Sequence, residues 1–331
     1  MNEKILFIFI TGIGIGFILN ILFTEKPIAT NGVLQLKNAI NESNTITTVK
    51  KIRILCFLAT MPESHSRKAI HIQNTWGKHC DKLLFASTIA DENLDALAFN
   101  VTESHALWAK VKVMFQHIYR NYLNEYDWFY KGDDDSFMIP ENLKFLLASY
   151  SPDDPIYFGY KYNTSDHKWG YFSGGSGYVL SRKDVRIFVE QLLTNKSLCP
   201  IDEENVAEDW TISECLDNGN VYAGDSRDLL RRERFFPFQP SQHLFPYRGK
   251  YWYWERKYYN NDDGLDCCSN YTIAFHYIPA KYMYHLYYLT YIHRVFGTKH
   301  HFPPLQKKRN FQQVVEILNL ERFNSSYRGY K

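Results

Sequence analysis

Between residues 51 and 150 an uninterrupted apolar run of strand length is followed, three times over, by a stretch with helical spacing. "KIRILCFLAT" precedes "SRKAIHIQNTWG", which reads as a helix stopped by Gly77. "KLLFAST" precedes a helix predicted from Ser104 to about Asn124, where Leu107, Val111, Met114, Phe115, Ile118 and Tyr122 recur at helical spacing. "YDWFYKGDD" precedes "PENLKFLLASY", in which Pro140 suits a first turn. Runs that stay apolar rather than alternating suit strands covered on both faces. Such strands separated by helices build an α/β domain around a largely parallel sheet. Past residue 155 the pattern loosens into "PIYFGYKY" and "YFSGGSGYVLS", with helices predicted near 182–193 and 207–218. A strand "IAFHYI" and a helix "AKYMYHLYYLTYIH" follow, then a basic, polar tail containing the amphipathic "FQQVVEILNLERF".

Before the domain, residues 5–23 contain no charge. At 1.5 Å per residue they would form a helix of about 28 Å, enough to cross a thin bilayer. A cleaved signal peptide competes with an uncleaved anchor, but its apolar core would be shorter and followed by a small-residue cleavage site. Residues 1–4 then form a short cytoplasmic tail, and the polar 24–50 a stem between membrane and domain. Six N-x-S/T triplets, at Asn41, Asn100, Asn163, Asn195, Asn270 and Asn324, suit a lumenal compartment. Six cysteines without C-x-x-C spacing agree with it. Sequence leaves fifteen pairings open. The expectation is two local loops, Cys56–Cys80 and Cys199–Cys215, with Cys267 and Cys268 joined to each other. With 38 basic against 36 acidic residues, the net charge of +2 gives no case for nucleic acid as a partner.

Three consecutive acids, Asp133, Asp134 and Asp135, close the third strand and interrupt core-like sequence. Ligands of open parallel sheets bind beyond the carboxyl ends of the strands. In extended chain Asp133 and Asp135 point to the same side. Two hard carboxylates so placed are what Mg2+ or Mn2+ requires when it also binds a diphosphate, whereas acid runs elsewhere are usually solvated loops. Three further features are weak singly. Glu208 and Asp209 open a helix, where the macrodipole favours anions. His276 stands in an apolar strand, the usual place of a satisfied core histidine. Gly174, Gly175 and Gly177 let a backbone approach a ligand or turn tightly.

In order, "SRKAIHIQNTWG", "WFYKGDDDSF", "YFSGGSGYVLS", "AEDW" and "FHYI" resemble the Fringe-type β1,3-glycosyltransferase family, as do "PIYFGY", "AGDSRD" and "WYWERKYYNNDDGLDCCS". The resemblance covers roughly residues 51–295 and is strongest to members that extend O-linked GalNAc with galactose. It implies a GT-A catalytic domain over 51–295, a tail over 296–331, a type II Golgi membrane protein, a homodimer, Mn2+, a UDP-sugar donor (UDP-galactose) and a GalNAc-bearing glycoprotein acceptor. By the same resemblance Asp133, Asp135 and His276 would hold the metal and Asp209 would be the catalytic base. Arg67, Trp76, Trp108, Lys112, Asp133, Asp134, Gly174 and Gly175 would border the donor. The chain departs from the family pattern at Gly132, where alanine is usual, and at Ser213, where glycine is usual. A sister transferase with another sugar or acceptor is the alternative. A lumenal chaperone relative would lack the acid triplet that this chain keeps.

Overall fold

A computed structural model describes residues 48–49, 51–101, 106–203, 206–245, 252–260, 262, 264–297 and 304–326. The predicted anchor at 5–23 and all of the stem but residues 48 and 49 lie outside the described residues. Within the described residues no helix is long and apolar enough to cross a membrane.

In chain order the strands are β1 (Ile54–Ala59), β2 (Lys82–Ser87), β3 (Ala96–Ala98), β4 (Trp128–Asp133), β5 (Phe137–Met138), β6 (Ile156–Gly159), β7 (Lys161–Tyr162), β8 (Tyr171–Phe172), β9 (Tyr178–Ser181), β10 (Tyr222–Ala223), β11 (Phe235–Phe236) and β12 (Ala274–Phe275). Seven of them form one sheet in the order β10-β6-β9-β4-β1-β2-β3. β1 pairs in parallel with both β2 and β4, and β10 with β6. β9 runs against both of its neighbours, β4 and β6, so the expected α/β sheet is mostly parallel but mixed. The reversal matters for the site. It sets the turn that enters β9 beside the carboxyl end of β4, where the acid triplet lies.

The apolar runs fold as strands because they lose both faces to the core. Ile54 through Leu58 and Phe129 through Lys131 have no exposed surface. Helices cover the sheet at Leu107–Asn121, Pro140–Leu147, Arg182–Ile187 and Glu208–Asn218. Pro140 occupies the first turn of its helix, where a missing N–H costs nothing. Ser181 and Asp184 cap the next one reciprocally, at 3.0 and 2.8 Å. The first predicted helix ends at Asn74 and not at Gly77. Gly77 lies in the following tight turn, where a side chain would meet Leu83 at 2.7 Å.

A smaller sheet, β11-β12-β5, pairs Phe275 with Phe137 and so carries His276 to the acid triplet. Only Ala274 and Phe275 of "IAFHYI" are paired as strand. The amphipathic segment of the tail forms the Phe311–Ser326 helix, with Val314 and Leu318 buried and Phe311 against Tyr222 of the edge strand β10. Covering an edge strand in this way protects its unpaired backbone. The disulfides are Cys56–Cys80, Cys199–Cys215 and Cys267–Cys268, the expected pairing. Asn100, Asn163, Asn195 and Asn270 are all exposed, as glycan acceptors must be.

Candidate active site

Asp133 ends β4, and the chain turns at once, with the Ser136 N–H on the Asp133 carbonyl at 3.1 Å. That turn, not extended chain, brings Asp133 and Asp135 to a common point. There the Nε2 of His276 stands 3.1 Å from Asp135 Oδ1 and 3.7 Å from Asp133 Oδ2. Ligand-type atoms of the three residues lie within 4.8 Å of one another. Two bonds fix the histidine's backbone in place: its N–H to the Phe236 carbonyl at 3.1 Å, and the Ile278 N–H to the Asp135 carbonyl at 2.8 Å. Tyr277 stacks on the imidazole at 3.8 Å and holds a left-handed φ of 56°, a conformation that costs a bulky residue energy and often marks a functional site.

Asp134 turns away from this group. It is buried, accepts the Thr60 hydroxyl at 2.8 Å and meets the Lys68 ammonium at 3.2 Å. Burial nevertheless outweighs both partners and raises its carboxyl above the ordinary value. Asp135 goes the other way. Burial pushes its carboxyl up, but the bonds from His276 and from Lys68, 3.0 Å away, hold it down at about 2.

The turn entering β9 supplies the space for the histidine. A Cβ at Gly175 would fall 2.1 Å from the His276 ring, so only glycine lets the imidazole stand there. At Gly177 φ is +80°, and a Cβ would meet the Tyr130 hydroxyl at 2.3 Å. Gly174 bonds in both directions: its N–H donates to Asp209 Oδ2 at 3.0 Å, and its carbonyl accepts the Lys131 ammonium at 3.3 Å.

Glu208 and Asp209 open the Glu208–Asn218 helix, which packs beside β8. Asp209 Oδ1 also accepts the Trp210 N–H at 2.9 Å, so backbone donors fix both of its oxygens. Glu208 is buried between Lys131, 3.0 Å away, and the Tyr178 hydroxyl. Burial disfavours the charge on Lys131, but Asp133 and Glu208 outweigh it and lift the ammonium above its ordinary value. Burial pushes Glu208 upward as well, so the two partners are drawn in opposite senses. The ammonium's preference decides, because two carboxylates and a carbonyl face it.

A cavity of about 390 Å³ is lined by Asp133, Gly174, Gly175, Glu208, Asp209 and His276 together with Tyr162, Tyr171, Phe238 and Tyr277. A second, of about 460 Å³, is lined by Arg67, Lys68, Asp135 and Tyr277. Four residues expected near the donor line neither cavity: Asp134, described above, and Trp76, Trp108 and Lys112. Trp76 is fully buried and donates its indole N–H to the Ser136 carbonyl at 2.9 Å, supporting the acid turn from behind. Trp108, also fully buried, donates to the Pro200 carbonyl at 3.1 Å. Lys112 donates to the carbonyls of Ile201 and, at 2.8 Å, Glu203. These bonds tie Lys112 to the 200–203 loop that leads toward the Asp209 helix. Tyr253 of the "WYWERKYYNNDDGLDCCS" segment is buried and accepts the Tyr160 hydroxyl at 2.9 Å.

Lys131 and Lys68 also line the two cavities although motif reading singles neither out and marks Glu208 only as an acid that opens a helix. The signal for Lys131 was available: a charge inside a strand buried on both faces needs a partner. Two carboxylates and one imidazole form a donor set that suits a divalent first-row ion.

A Fringe-like family model matches residues 47–224, more than half of the chain. Glycoprotein-N-acetylgalactosamine 3-beta-galactosyltransferase 1 of Xenopus laevis is 40% identical over 259 residues, covering 77% of this chain and 71% of the relative. Beta-1,3-glucosyltransferase of Mus musculus is 24% identical over 173 residues, covering 51% of this chain and 34% of the relative. Among solved structures, an active-site mutant of LgtC matches with a TM-score of 0.38 and 13% identity, over 68% of this chain and 86% of that one.

Proposed function

Because this chain belongs to the Fringe-like family, we propose that it transfers galactose from UDP-galactose, in β1,3 linkage and with inversion, to O-linked GalNAc on glycoproteins. The relative from Xenopus laevis supports the donor and the acceptor. The observation that carries the reading is the meeting of Asp133, Asp135 and His276 within 4.8 Å, in a cavity that Asp209 also lines. The sheet, with its acid triplet at a carboxyl end, supports a GT-A arrangement.

In this reading Asp209 is the base. Its oxygens are held by the N–H groups of Gly174 and Trp210, so the carboxylate presents one direction to the acceptor's 3-hydroxyl and takes its proton as the new bond forms. Asp133, Asp135 and His276 would hold Mn2+, which would supply charge neutralisation to the diphosphate and to the leaving UDP. Arg67 and Lys68 place positive charge along the second cavity, where the donor's phosphates enter. Tyr162, Tyr171, Phe238 and Tyr277 offer apolar faces to the sugars. Holding both substrates in register contributes much of the acceleration. The lumenal Golgi placement, the 5–23 anchor and a homodimer belong to the same reading. Three disulfides and four exposed acceptor asparagines support the lumenal side.

The test is transfer by the detergent-solubilised full chain, given MnCl2, a panel of UDP-sugars and a GalNAc-bearing peptide. The expected result is galactose transfer, abolished by Asp209→Asn with UDP binding intact. Turnover with a different sugar only, or near-normal turnover in the Asn variant, would sink the assignment.

A further inference from the structure

Lys131 lies fully buried in β4. An ammonium in such a place costs several kcal/mol unless its protons are accepted. Three acceptors meet its three protons: Asp133 Oδ1 at 2.8 Å, Glu208 Oε2 at 3.0 Å and the Gly174 carbonyl at 3.3 Å. Each belongs to a different part of the site. Asp133 is the carboxylate on the metal side. Gly174 is the residue whose N–H holds Asp209. Glu208 is the chain neighbour of Asp209, and its second oxygen accepts the Tyr178 hydroxyl.

We propose that Lys131 is a positioning residue that locks Asp133 and Asp209 into one register. The inference rests on the transfer reading above. With Oδ1 engaged by the ammonium, Asp133 turns Oδ2 toward His276. With the Gly174 carbonyl engaged, the N–H of the same residue stays aimed at Asp209. Stability alone is a poor account of such an arrangement, since buried ion pairs can often be replaced by apolar groups without loss. Apolar packing cannot aim a carboxylate.

The decisive variant is Lys131→Met with Glu208→Gln, which removes the ammonium together with the charge of its buried carboxylate partner. The full chain is compared with it by thermal melt, by kcat and acceptor KM, and by calorimetric titration of MnCl2 in the presence of UDP. A folded double variant should lose about tenfold or more in kcat with acceptor KM little changed, and bind Mn2+ about tenfold more weakly, the range typical of residues that orient metal ligands. A folded variant with kcat and Mn2+ affinity both near the parent overturns the proposal. So does a fall in kcat with Mn2+ affinity intact, because Asp133 would then not depend on the lysine. If the double variant fails to melt cooperatively, Tyr178→Phe decides. It is nearly isosteric and frees the second oxygen of Glu208, so kcat should fall several-fold, and an unchanged kcat overturns the proposal. A parent that binds Mn2+ and UDP but transfers no galactose would refute the functional reading instead, leaving the affinity comparison to judge Lys131.

Discussion

Alanine at Gly175 should disable the site while sparing the fold. An added Cβ would lie 2.1 Å from Cε1 and Nδ1 of His276 and 2.7 Å from Cγ. Non-bonded carbons rest about 3.5–4.0 Å apart, so one partner must retreat by about 1.4 Å. The histidine is poorly placed to move, because Tyr277 stacks on its ring and backbone bonds flank it on both sides. A retreat of that size removes the 3.1 Å contact with Asp135 and scatters the candidate metal-ligand group. Overpacking of this kind costs about 1–3 kcal/mol, which a domain of this size survives with a melting point a few degrees lower. A misplacement of about 1 Å at a reacting centre costs on the order of 100-fold in rate. Initial rates of galactose transfer, read beside thermal melts, measure both. In a His276→Ala background the added methyl meets no ring, so Gly175→Ala should cost nothing further. Activity within about threefold of the parent, or an equal loss in both backgrounds, would refute this reasoning.

Two more expectations follow from groups away from the metal side. Burial pushes the Asp217 carboxyl up to about 7, and the Lys168 N–H at 2.8 Å offsets this only in part. The unfolded carboxyl titrates near 3.9, so between about pH 4 and 7 the unfolded chain releases its proton first and stability drains as pH rises. Asp217→Asn should therefore match the parent at pH 4.5 and exceed it at pH 8 by on the order of 1–3 kcal/mol in thermal denaturation, whereas an equal gap at both pH values would count against the assignment. Lys112→Met should lower the melting temperature and leave the UDP-galactose KM within about twofold, because its ammonium serves backbone carbonyls; a large rise in that KM would restore a phosphate contact.

What could be read from the chain was what periodicity and burial govern. The strands β1, β2 and β4 announce themselves as apolar runs, and the acids at the end of β4 fall where a parallel sheet binds ligands. The reversal of β9 left no such trace, since "YVLS" would be apolar in either direction. The approach of His276 to the triplet depends on the pairing of β5 with β12, two residues each, too short for alternation to show. Residues from distant parts of the chain meet there through the register of Phe137 with Phe275 and the Ile278 N–H bond to the Asp135 carbonyl.

Motif position also says which residues a site needs without saying how it uses them. Trp76 and Trp108 stand in motifs expected to border a nucleotide, and each donates its indole N–H to a backbone carbonyl, of Ser136 and of Pro200. A large indole that tied a loop in place would be as hard to replace as one touching substrate, so a motif cannot separate the two roles. Lys131 shows the same limit from the other side. Three adjacent acids ask for positive charge, and a metal is one answer, but part of it is already in the chain two residues earlier. A lysine inside a strand of Trp, Phe and Tyr can stay charged only if carboxylates come to it, and Asp133 and Glu208 do. An electrostatic demand read in both directions along "WFYKGDDD" therefore points to an internal cation as well as an external one.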